Sequence, residues 1–341
     1  MDSRTQQVQA PDINNPRVQG LLERTIAWDN HACVPFTDES RCLAALRRYH
    51  TAGFSLVHAN VGDSDIPIAE TLRQLAFARR TIRAHADEFA LASSVADIAQ
   101  AKREGKLAIC FDLEGAHGLE SNLEMVSLLY DLGVRWMLVA YNQRNQVGGG
   151  CHDARDEGLS EFGRRWIAEM EAVGMIVDVA HTGYRTALEV CEIARRPVNI
   201  SHSNPRSLRD HPRCVPDSLM HACAATGGVL GISGVGIFLG DNDVSTDAVL
   251  RSIDRAVQVM GVDHVGLGLD FVFDTADMDA HLAARTHIFP VEFGYRPGIK
   301  FVEPERLSSI IEWLLAGGYT EADAAKLIGG NFLRVASEVW H

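Results

Sequence analysis

The chain reads as a single-domain (β/α)8 barrel of the TIM type, and three observations predict it. Short runs rich in Val, Ile and Leu alternate with longer stretches of helical periodicity, the runs number eight, and titratable residues gather at their C-terminal ends. With 341 residues the chain is long enough to bury one large core.

The first run, TIAWDNHACV (25–34), spaces Asp29, His31 and Cys33 two apart, which puts them on one face of a strand. FSLVHANV (54–61) is second, and KLAICFDLEG (106–115) is third and ends at Asp112 and Glu114. RWMLVAYNQ (135–143) precedes GMIVDVAHTG (174–183), which carries Asp178 and His181. PVNISHSN (197–204) ends near His202, GGVLGISGVG (227–236) is seventh, and HVGLGLDF (264–271) reaches Asp270. Between them, NLEMVSLLYDLG and EFGRRWIAEMEAVG have apolar residues at helical spacing and stop at Gly133 and Gly174. Residues 271–300 break the alternation and are expected to form a long loop beside the barrel mouth. Residues 303–341 return to helices, with GGNFLRV opening the last. A polar segment, 1–20, precedes the barrel at 21–341, and no linker marks a second domain.

A formal net charge of -13 argues against a nucleic-acid or anionic-membrane binder, since either needs a basic face. The polar N-terminus lacks the apolar core of a signal peptide, and no run has the length and apolarity to cross a bilayer. A cytoplasmic enzyme is the expectation. Seven cysteines without framework spacing read as reduced thiols.

In such a barrel the chemistry sits at the C-terminal strand ends. Taken singly, a His there reads as a packing residue and an Asp as a helix cap. Taken together, three imidazoles and several carboxylates at one mouth read as a metal site. Zinc accepts His nitrogen and carboxylate oxygen, and a carboxylate such as Glu114 suits a bridge between two ions.

The segments FDLEGAHGLESNLEMVSLLYDLGVRWMLVAYN, VDVAHTGYRTALEV, RPVNISHSNPRSLRDHPRCVPDSLMHACAATGGVLGI, DHVGLGLDF and GGNFLRV together resemble the membrane dipeptidase (renal dipeptidase) family of zinc hydrolases. The resemblance runs in order from Asp29 to the last helix. It implies a (β/α)8 barrel with two zinc ions, a dipeptide substrate and a homodimer. Carried over, His31 ligates the first ion, Glu114 bridges, and His181 and His202 hold the second. Asp270 shuttles the proton to the leaving amine, and Arg213 pairs with the substrate carboxylate through its guanidinium fork.

Two positions depart from that pattern. Cys33 stands where the family has an aspartate ligand; a thiolate also binds zinc, but one ion held by His181, His202 and Glu114 is the alternative. Tyr141 stands where the family has a histidine that contacts the scissile carbonyl, and a phenol donates a comparable hydrogen bond. Asp29 is expected to orient a neighbour from behind the site. Cys151 and His152, in the glycine-rich QVGGGCHD, lie near the mouth and are expected to be ordinary loop positions.

Three functions follow: a zinc-dependent hydrolase of a dipeptide-like amide with a free carboxylate, a mono-metal amidohydrolase with a specialised substrate, and a catalytically silent barrel. Asp270 and the His181/His202 pair argue against the last.

Overall fold

The structure is a computed structural model that describes residues 15–63, 66–119 and 121–341. Its sheet has ten strands: β1 (Trp28–Cys33), β2 (Leu56–Asp63), β3 (Phe89–Leu91), β4 (Leu107–Glu114), β5 (Val134–Leu138), β6 (Ile176–Asp178), β7 (Val198–Ser203), β8 (Leu230–Ile232), β9 (Val265–Leu267) and β10 (Phe271–Val272). The pairing order is β1-β2-β4-β5-β6-β7-β8-β9, parallel throughout, and Asp29 pairs with Leu267 to join β1 to β9. The result is a closed eight-stranded parallel barrel with flanking helices, each barrel strand overlapping one of the eight predicted runs.

Two strands are additions to that expectation. β3 is three residues that pair with the start of β4, from Phe89↔Leu107 to Leu91↔Ile109, and is too short to show a period. β10 continues the β9 segment past Asp270 and pairs with the end of β1, Ala32↔Phe271 and Cys33↔Val272. Residues 271–300 are also more ordered than a loop: they contain β10, the helix Thr275–Ala284 and a 3-10 turn at Val291–Phe293. Asp274 starts that helix by accepting from the Asp277 amide, but only Leu282 of its residues is buried, so no apolar stripe announces it.

The other helices follow their sequence signals. In Glu161–Val173, Ser160 accepts from the Gly163 amide, Trp166, Ile167 and Met170 face the core, and left-handed Gly174 ends the helix. The helix Pro16–Arg24 crosses the boundary expected at residue 20 and buries Val18, Leu21 and Leu22; residues 1–14 lie outside the described residues. All seven cysteines are free, and no described helix is long and apolar enough to cross a membrane.

The end of the barrel opposite the mouth is plugged by the last helix, Asn331–Val339. Asn331 donates to the carbonyls of Val262 (2.7 Å) and Val265 (2.8 Å), which ties the helix to the start of β9. The Trp28 ring then packs against Phe332 and Trp340, each at 5.9 Å between centroids. Phe332 fits because Gly266 has no side chain: a Cβ there would lie 2.4 Å from the ring. Gly266→Ala is therefore expected to overpack this plug and lower stability by about 1–3 kcal/mol, read as a fall in the urea midpoint at unchanged m-value.

Candidate metal centre

Six strand ends supply the mouth. His31 comes from β1, Asp112 and Glu114 from β4, and His202 from β7. Tyr141 and Asn142 follow β5, His181 follows β6, and Asp270 lies between β9 and β10. His31 and His202 are fully buried, and Glu114 and His181 are nearly so.

Glu114 is the centre of the arrangement. Its Oε1 lies 3.4 Å from His31 Nε2, 3.3 Å from His181 Nε2 and 3.2 Å from His202 Nε2. Asp270 Oδ1 is 3.5 Å from His31 Nε2. Two groups of ligand atoms converge, one from Glu114, His181 and His202 and one from His31, His202 and Asp270.

The hydrogen bonds behind these rings assign their tautomers. His181 Nδ1 faces Asn142 Oδ1 at 2.7 Å, so it carries the proton and leaves a lone pair on Nε2. Ser201 donates its hydroxyl to Asp178 (2.9 Å), and its oxygen accepts from His202 Nδ1 (2.8 Å), with the same consequence. His31 Nδ1 donates to Asp112 Oδ2 at 3.2 Å, and His31 Nε2 is buried with no hydrogen-bond partner. The facing Nε2 atoms of His181 and His202, 2.9 Å apart, therefore both present lone pairs. Two lone pairs and a carboxylate oxygen at that spacing call for a shared cation, which is the chemistry of a divalent metal site.

Electrostatics agree. Burial, then neighbouring positive charge, holds His181 and His202 well below the usual imidazole range, so both rings are neutral. Burial alone would lower His31 too, but Asp112 and Glu114 outweigh it and hold this imidazole well above that range. Burial pushes Glu114 up to about 8 against the pull of His31. A proton on His31 and a cation at its Nε2 are thus alternative ways to neutralise the same carboxylates.

Strain marks the site as well. His181, Asp270 and Asn142 each adopt a left-handed φ of 57°. For His and Asp this conformation costs about 1 kcal/mol or more each, and it turns the side chains inward just past the strand ends.

The other predicted residues take distinct places. Tyr141 stacks on His181 (centroids 4.2 Å apart, 18° between planes). Arg213, 2% exposed, lies in the loop after β7 over the Phe238 ring, and its Nη2 donates to the His202 carbonyl. Both face a cavity of about 470 Å³, partly open to solvent, whose roof is Phe238, Met278, Leu282, Phe289, Tyr295 and Phe301. Cys33 faces the same cavity, but its Sγ belongs to neither ligand group, and burial pushes the thiol up to about 12. Asp29 does not touch an imidazole: it accepts from the amides of Leu269 (2.7 Å) and His31 (3.4 Å) and from the Tyr49 hydroxyl (2.8 Å). It holds the main chain of β1 to the residue before Asp270. Cys151 and His152 brace the loop: the Cys151 amide donates to the His181 carbonyl and the His152 ring binds the Ile288 carbonyl. The glycines before them serve close packing, since a Cβ on Gly150 would lie 2.2 Å from the Asn142 backbone.

The residues that orient the imidazoles, Asp112, Asn142 and Ser201, had no such role in the sequence reading. Asp112 was legible, because it sits two residues from Glu114 on one strand. Asn142 was not, because its partner His181 is 39 residues away.

With this geometry described, the comparisons with known proteins decide the family. Residues 47–282 match the model for membrane dipeptidase, peptidase family M19. The chain belongs to that family. A curated relative, an uncharacterized dipeptidase of Schizosaccharomyces pombe, is 31% identical over 223 residues, 61% of this chain and 53% of that protein. The chain thus spans about half the length of the curated relative it matches. Among solved structures, an amidohydrolase from Pseudomonas aeruginosa is 28% identical with a TM-score of 0.84, covering 95% of this chain and 99% of that one. A metallo peptidase from Rhodobacter sphaeroides, solved with a phosphinate mimic of the dipeptide L-Ala-D-Ala, shares the fold at 19% identity and a TM-score of 0.75, covering 93% and 100%. The family match begins at residue 47, after His31 and Cys33, so those two positions rest on the geometry of the mouth.

Asp112→Asn is expected to weaken metal binding about 10–100-fold by loosening the His31 ring, measured by chelator competition. Retention of the full affinity would show that the ring is held by packing alone.

Proposed function

We propose that this chain is a zinc-dependent hydrolase that cleaves the amide of a dipeptide or dipeptide-like compound with a free carboxylate. The observation that carries the reading is the pair of imidazole lone pairs, from His181 and His202, that face Glu114 Oε1 within 3.3 Å, with His31 Nε2 beside them at 3.4 Å. Glu114, His181 and His202 would hold one ion, and His31 would hold a second beside Glu114 and Asp270. A bound ion supplies Lewis acidity and an activated water at neutral pH.

The remaining groups divide the work of amide hydrolysis. The Asp270 carboxylate takes the proton of the attacking water and returns it to the leaving amine. The Tyr141 hydroxyl donates to the oxygen that becomes negative in the transition state. Arg213 has no carboxylate partner among the described residues, and its guanidinium binds the substrate carboxylate. The apolar roof over the cavity limits access of bulk water to the reacting bond.

One observation favours a narrower reading with a single ion and a specialised amide: Cys33 lies outside both ligand groups. Elemental analysis of wild type and Cys33→Asp, with a panel of L-Xaa-D-Xaa dipeptides, separates the two. About two zinc ions per wild-type chain with dipeptide turnover supports the first. One ion in wild type, with a second ion and dipeptide turnover gained in Cys33→Asp, supports the narrower reading, and no ion in either sinks both.

Arg213→Gln is expected to raise KM for a carboxylate-bearing dipeptide at least about tenfold while leaving the corresponding C-terminal amide unaffected. Equal losses for both substrates would remove Arg213 from carboxylate recognition.

A further inference from the structure

A second chamber adjoins the metal cavity. It is about 630 Å³ with part open to solvent, and His181 and Arg213 line both spaces. Its distinctive feature is a second arginine, Arg206, on the same loop as Arg213.

The three arginines of that loop differ in their partners. Arg209 is paired with Asp241 at 2.9 Å on the surface. Arg206 and Arg213 have no carboxylate partner among the described residues. Each binds one main-chain carbonyl through Nη2, Arg206 that of Pro212 (3.1 Å) and Arg213 that of His202 (3.2 Å). The Nε atom of each is buried with no hydrogen-bond partner. A guanidinium offers five donors; Arg213 is buried and Arg206 half-buried, and two guanidiniums left this poorly satisfied on one chamber call for an anion.

The acids in the chamber wall do not meet that need. Asp153 accepts from the amides of Arg144 (3.1 Å) and Gly150 (2.8 Å). Asp156 accepts from the amides of Gly158 (3.0 Å) and Thr186 (2.8 Å) and from the Thr186 hydroxyl (2.6 Å). Both carboxylates brace the wall.

We propose that the amine half of the substrate carries two carboxylates, as in an aspartyl or glutamyl residue. Arg213 takes the main-chain carboxylate beside the metal centre, and Arg206 takes the side-chain carboxylate in the adjoining chamber. The inference rests on the hydrolase reading for its orientation, since the group next to Arg213 is then the released amino acid. It names the class of that amino acid, which the metal centre by itself leaves open. A site built to pair a charge discriminates strongly against a neutral isostere, because its own polar groups are then left unpaired.

The test uses the metal-loaded protein and two readouts. Calorimetric titration with the D and L forms of glutamate and glutamine compares ligands of one shape that differ in charge. Glutamate is expected to bind at least about tenfold more tightly than glutamine in one enantiomeric series. Arg206→Gln is expected to bring that ratio to near one, and Arg206→Lys to restore part of it. In turnover, the kcat/KM ratio of an Xaa-Glu to an Xaa-Gln dipeptide is expected to fall in parallel. Equal binding of glutamate and glutamine, binding of neither, or a ratio that Arg206→Gln does not change would overturn the proposal. Should Arg206→Gln fail to fold, the wild-type ratio and Arg206→Lys decide it. Dipeptide turnover with no acidic preference defeats this inference alone; acidic preference in binding without turnover of any amide defeats the hydrolase reading alone.

Discussion

The mouth of the barrel is organised by one unfavourable contact, the crowding of three imidazole nitrogens around a single buried carboxylate oxygen at 3.2–3.4 Å. The His181 and His202 lone pairs repel the carboxylate at that spacing, and a buried carboxylate loses several kcal/mol of hydration. Such a cluster keeps its shape only if the backbone holding it is stiff. A closed parallel barrel provides that stiffness, because each residue of the cluster lies in or within a few residues of a strand whose ladder is shared with two neighbours.

The other features of the mouth follow from that constraint. Each ring is oriented from a different element: His31 by Asp112 of β4, His181 by Asn142 after β5, and His202 by Ser201 of its own strand. Left-handed backbone at His181 and Asp270 turns side chains inward at points where a regular strand would carry them past the centre. Asp29 locks β1 to the segment that presents Asp270, and the glycine-rich loop lets the chain pack directly against Asn142. Over this rigid floor lies a separate apolar cluster, including Phe238, Leu282, Phe289 and Tyr295, largely supplied by residues 271–301. The floor is thus a stiff polar frame and the roof an apolar cover.

Much of this was legible before the fold. Strand positions were readable because barrel strands buried on both faces are short apolar runs, and the residues that meet at the mouth were readable because several imidazoles and carboxylates end such runs together. Residues 271–300 were the least legible part: the helix Thr275–Ala284 has no apolar stripe, since its neighbours cover it on one residue, Leu282. Asp29 was legible as a supporting acid but not in its target, because the Leu269 amide it binds lies 240 residues away.

By itself the sequence determined the architecture and the inventory of the site, since burial pattern and period are local properties that each segment carries with it. Pairing was decided by the tertiary structure alone. Closing β1 onto β9 brings His31 to Asp270 and leaves Cys33 beside the candidate ligand groups without joining either, while pairing β5 with β6 sets Asn142 behind His181. It also leaves Arg206 and Arg213 unpaired on one chamber while Arg209, on the same loop, finds Asp241. Those outcomes depend on distances between residues far apart in the chain, which no local pattern encodes.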